Sequence, residues 1–120
     1  MPENIMTRCA LHAKNMSVDN LYYKMYNYGR IHEAEKKYQE AMVLYRKTWQ
    51  FAINHKMAPI FALNLKSEIG NMLVEMGRYE EAIYYGKECE QESRQIGSKE
   101  LLAKACQMLA DADTRNLPRP

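Results

Sequence analysis

A chain of 120 residues has the size of one domain, and hydrophobic residues at 47% can fill a core while 27% charged residues cover it. A formal net charge of +2 is too weak to mark a nucleic-acid surface. The apolar runs also fall far short of the ~20 residues that span a bilayer, so neither nucleic acid nor membrane is an expected partner. Only 4 Pro and 5 Gly argue against a turn-rich β fold, and abundant helix formers make all-α the expected class.

Pro2 suits the first turn of an opening helix that would extend to Asn15. The same stretch, "MPENIMTRCALHAKN", lacks the basic start and unbroken apolar run of a secretion signal. Ser17 then reads as an N-cap for "VDNLYYKMYNY", and Gly29 as the residue that ends it in a left-handed cap. A long segment follows, "IHEAEKKYQEAMVLYRKTWQFAIN", in which Ala34, Tyr38, Ala41, Tyr45 and Trp49 share one helical face. "HKMAP" is a break, and Pro59 can open "IFALNLKSEIGNMLVEM", which runs to Gly77. "YEEAIYYGKECEQESRQI" runs to Gly97, "SKELLAKACQMLADAD" closes the helical part, and "TRNLPRP" reads as a tail. The expected architecture is about six helices paired as antiparallel hairpins: an N-terminal helix over 1–15, a repeat domain over 16–113 and a flexible tail over 114–120.

The chain repeats itself. Setting "YGRIHEA" (28–34) on "MGRYEEA" (76–82) is an offset of 48 residues, from 29 to 77, and aligns Gly29 with Gly77, Arg30 with Arg78, Glu33 with Glu81 and Ala34 with Ala82. Small Ala41 then falls on small Cys89, and small residues let paired helices approach closely. A second offset of 40, from 70 to 110, sets Ile69–Gly70 on Leu109–Ala110. Two helix-turn-helix units and a closing helix are predicted, with Ala34 and Ala82 at the closest helix contacts.

Glycine, a cation, an aromatic and then alanine, followed by small or aromatic residues at three- and four-residue spacing, resembles the tetratricopeptide repeat. The resemblance covers residues 16–112 and is carried best by Ile69, Gly70, Gly77, Tyr79 and Ala82. Leu21, Gly29, Ala34, Tyr38 and Ala41 carry it in the first unit. It departs from the family at Lys66 and Gly86, where aromatics are usual, and at Tyr22, which replaces a small residue. "LLAKACQMLAD" is similar to the longer variant found in signalling adaptors and bacterial peptide sensors.

The resemblance implies a right-handed superhelix with a concave groove that binds a protein or peptide, and no catalysis. Carried over position by position, the groove would be lined by Met16, Asp19, Tyr23, Tyr26 and Asn27 in the first unit. Asn64, Ser67, Asn71, Val74 and Glu75 follow in the second, and Lys104, Gln107 and Asp111 on the closing helix. Asn64 and Asn71 lie two turns apart on one face, where amides can hold a peptide backbone, and Tyr23 and Tyr26 would anchor it. The same residues also fit an ordinary solvated face. A clamp for a C-terminal carboxylate is not expected, because Asp19, Tyr23, Asn27, Ser67, Asn71 and Glu75 supply no cation.

The remaining chemistry is sparse. The tyrosines read as packing rather than as a stacking platform for bases. Cys9 and His12 lie one helical turn apart but have no second pair, so no metal or other cofactor is expected. The three cysteines make no disulfide framework and fit buried or half-buried thiols in a reducing cytoplasm. No phosphate loop, nucleophile with partners or HExxH motif points to an enzyme. The alternative to a peptide-binding adaptor is a homodimer formed through the terminal helices, with Ile5, Cys9 and Leu11 meeting Leu102, Ala105 and Leu109.

Overall fold

No glycine or proline interrupts the chain between Ile5 and Tyr28, and the first helix runs through all of it. The computed structural model describes the backbone of residues 5–116 and the side chains of residues 17–116. Within these limits there are five helices and no strand: α1 (Ile5–Ala34), α2 (Tyr38–Asn54), α3 (Pro59–Glu75), α4 (Tyr79–Ile96) and α5 (Lys99–Arg115). The expected count of about six fails at one point. Ser17 does not cap a second helix, and the boundary drawn at 15–16 falls inside the 30 residues of α1. A capping side chain satisfies one free N–H, whereas breaking a helix there would free several backbone groups with nothing to receive them. Thr114 and Arg115, placed in the expected tail, belong to α5, and residues 117–120 lie outside the described ones.

Gly29 does not end a helix either. It is buried in α1, and the chain turns six residues later, at 35–37. Lys36 there has φ 61, and Lys37 follows with φ −89 and ψ 70. The corner between α3 and α4 has the same form, with Gly77 at φ 77 and Arg78 at φ −90 and ψ 67. Their hydrogen bonds match as well: Lys36 N–H donates to Glu33 and Gly77 N–H to Val74, while Lys37 N–H donates to His32 and Arg78 N–H to Leu73. The structural repeat is therefore an offset of 41, from 36 to 77, which sets "KKYQEA" on "GRYEEA". The offset of 48 is replaced by it.

Buried positions follow the new register. Ala41, Tyr45, Thr48 and Ala52 on α2 correspond to Ala82, Gly86, Cys89 and Ser93 on α4, and all eight are buried. Ala34, by contrast, is exposed at the end of α1. The offset of 40 in the other helices agrees with the starts of α3 and α5 at 59 and 99. Pro59 opens α3 and holds Ala58 extended, at φ −55 and ψ 145, as a residue before proline must be. Gly97 caps α4 in the left-handed region, and the Ser98 hydroxyl accepts from Leu101 N–H at 3.2 Å to start α5.

Each helix packs on the next in the chain, and α3 also meets α5. The main core joins Tyr22, Tyr45, Leu65, Ile69, Met72, Leu73 and Met108. A smaller cluster holds Leu63, Cys89, Leu101 and Ala105. The long first helix helps give the molecule principal extents of 71 × 31 × 18 Å. Among the described residues no helix is long and apolar enough to cross a membrane.

Candidate functional site

The first, third and fifth helices bring one set of predicted groove residues together. Tyr23 of α1, Asn64 of α3 and Lys104 of α5 line a cavity of about 220 Å³, along with Tyr22, Ile60, Phe61, Ser98, Glu100 and Leu101. Tyr23 is 49% exposed. Tyr22 is buried beneath it, and its hydroxyl donates to the Phe61 carbonyl at 2.9 Å. The Tyr22 and Phe61 rings meet edge to face at 5.0 Å, and Tyr23 meets Tyr22 the same way at 5.2 Å. Such contacts fix both ring planes and leave the outer faces of Tyr23 and Phe61 for an incoming apolar group. At the rim Lys104 pairs with Glu100 at 3.7 Å.

Tyr26 lies one turn further along α1 and is committed to the fold. Its ring stacks on Tyr22 at 6.1 Å, and its hydroxyl donates to Glu68 Oε1 at 3.2 Å. Beside it the Tyr45 hydroxyl donates to Glu33 Oε1 at 2.8 Å, so α1, α2 and α3 are tied by two tyrosine–carboxylate bonds. Burial pushes Tyr22 and Tyr26 up to about 12, against the lowering effect of the Asn64 amide beside both hydroxyls. Burial also raises the Glu33 carboxyl, and neighbouring Glu68 adds to the shift while the Tyr45 hydroxyl opposes it.

The other groove positions are spread out. Asn27 is exposed on α1, and Asn71 is half-buried on α3. Ser67 and Val74 are buried, and the Ser67 hydroxyl has no hydrogen-bond partner. Glu75 accepts from Arg115 at 3.1 Å, and the Gln107 amide donates to Asp111 Oδ1 at 2.9 Å. Asp19 is exposed, and the Met16 side chain lies outside the described residues. The sequence reading did not single out Phe61 and Leu101, which also line this cavity. Phe61 lies three residues before Asn64, and that helical spacing is the signal that would have found it.

The side chains of Cys9, His12, Ile5 and Leu11 also lie outside the described residues. Ala105, expected at an interchain contact, is buried within its own chain, and Leu109 packs within 3 Å of where a Cβ on Gly86 would sit. That face of α5 is therefore spent on α4. Cys89 is buried, and burial pushes its thiol up to about 12, which keeps it protonated and unreactive. Cys106 is exposed rather than buried. Among the described residues no three His, Cys, Asp or Glu side chains gather as a metal site. The chain matches no protein-family model, no curated protein and no solved structure.

Proposed function

We propose that the protein is a non-catalytic module that binds a peptide segment along the tetratricopeptide-like groove formed by α1, α3 and α5. The observation that carries this reading is the cavity shared by Tyr23, Phe61, Asn64 and Lys104. Its aromatic walls suit one bulky apolar side chain, and the Asn64 amide supplies a donor and an acceptor for the peptide backbone beside it. The paired Lys104 and Glu100 at the rim favour neither a strongly acidic nor a strongly basic ligand.

The test is selection of a random peptide library against the full chain, followed by affinity measurement on variants. Tyr23→Ala with Asn64→Ala should weaken the selected peptides by about 2 kcal/mol or more, roughly 30-fold, while helical circular dichroism is kept. Tyr84→Ala, at an exposed tyrosine on α4, should leave them unchanged. Peptides that bind the double variant as tightly as the parent chain would place recognition elsewhere.

A further inference from the structure

A larger opening than this groove lies on the other side of α3. Phe61, Asn64 and Ile60 face the groove, whereas Pro59, Ala62, Leu63 and Lys66, about half a helical turn away, floor a second cavity of about 450 Å³. Trp49 and Ile53 from the last turns of α2 form one wall, and Gln95 and Ile96 from the end of α4 form the other. Ile53 and Ile96 are 54% and 41% exposed. At the bottom the Lys66 ammonium lies 5.6 Å from the Trp49 ring and bonds Glu92 at 2.9 Å and Glu88 at 3.1 Å. Burial opposes that charge, but the two carboxylates outweigh it and hold Lys66 above its ordinary value. Two carboxylates against one ammonium leave an unbalanced negative charge on the α4 side of an apolar cleft.

The chain carries a segment with the complementary character. α2 has 17 residues and doubles back along α1, so α1 continues past it by residues 5–17, about 20 Å at 1.5 Å per residue. In that stretch the sequence spaces Ile5, Cys9, Ala13 and Met16 at the period of one helix face. Arg8 and His12 flank this stripe, and no acid occurs from Ile5 to Val18. The projecting end points past the same end of the molecule at which the cleft opens. Without glycine or proline the helix cannot bend back onto its own chain.

We infer that the N-terminal half of α1 docks in the cleft between α2 and α4 of a second copy, with Arg8 against Glu88 and Glu92. A two-fold dimer makes the contact twice, once in each direction, which doubles the area a single helix could bury. The inference concerns a face apart from the peptide groove and does not depend on it.

Light scattering on the full chain at about 100 µM, a concentration that populates any dimer with a Kd near 10 µM, should give twice the mass of one chain. Trp49 is the only tryptophan and lines the cleft, so its emission should shift to the red on dilution. Ile53→Lys with Ile96→Lys should give the single mass with unchanged helicity, as should Arg8→Glu. Combining Arg8→Glu with Glu92→Lys should restore the double mass. A single mass for the parent chain overturns the inference, and so does a double mass that survives either variant. Failure of the combined variant to restore the dimer, or Trp49 emission that is constant with dilution, overturns it as well.

Discussion

Glycine serves two different needs in this chain, and its position alone does not say which. At Gly77 the need is a positive φ, and a Cβ there would meet nothing within 4 Å. At Gly29 the need is space, because a Cβ would come within 2.5 Å of the Tyr45 ring. That ring is rigid and held through its hydroxyl by Glu33. Gly29→Ala should therefore destabilise the protein by about 1–3 kcal/mol, less about 1 kcal/mol regained in helix propensity. Lys36 has the positive φ without being a glycine. Lys36→Gly should therefore raise stability by about 0.5–1 kcal/mol, against the larger entropy of the unfolded chain. Denaturant midpoints of the two variants should move in opposite directions, and equal shifts would contradict these assignments. The misplaced first corner has the same origin, because the glycine sits at the contact and the turn has a lysine.

At the scale of elements, period and composition were enough to expect all-helical structure, and Pro59, Gly77, Gly97 and Ser98 marked real boundaries through local backbone chemistry. The register of the repeat was harder to read. "KKYQEA" and "GRYEEA" share a tyrosine, a glutamate and an alanine, but the shared glycine–arginine pair at 29–30 and 77–78 gave the competing alignment. The corrected register makes a direct prediction. Ala41 and Ala82 are buried and their N–H groups donate to Lys37 and Arg78, the equivalent corner residues, whereas Ala34 is exposed. Ala41→Leu and Ala82→Leu should each cost about 1–3 kcal/mol by overpacking. Ala34→Leu should stay within about 0.5 kcal/mol of the parent, as surface changes do. A large loss at Ala34, or none at Ala41, would restore the offset of 48.

Across the whole molecule, the candidate groove was legible where residue type and helical spacing coincide, as at Tyr23 and Asn64. It was not legible where a polar residue turns inward, as Ser67 does, because spacing cannot tell which neighbouring helix will cover a position. Burial of hydroxyls and a thiol has a consequence for global stability that no local pattern foretells. Tyr22 and Tyr26 are raised by burial from 10.0 to about 12, and Cys89 from 9.0 to about 12. Tyr45 moves further in the same direction through burial and the Glu33 carboxylate. As pH rises through 9 and 10 the unfolded chain releases these protons while the native chain keeps them. The unfolded state then binds fewer protons, so stability must fall with pH. Each buried group that stays protonated only in the native state removes at most about 1.4 kcal/mol per pH unit. The stabilising effect is whole below the unfolded values and disappears as pH climbs toward about 12. Thermal midpoints should thus hold steady below pH 9 and drop steeply above pH 10. Tyr45→Phe removes one of the titrating groups and frees Glu33 of its partner. It should cost about 1 kcal/mol at neutral pH, the usual net worth of a hydrogen bond, yet give a shallower alkaline fall. An alkaline limb of the same slope in parent and variant would mean that Tyr45 is not held protonated by this network.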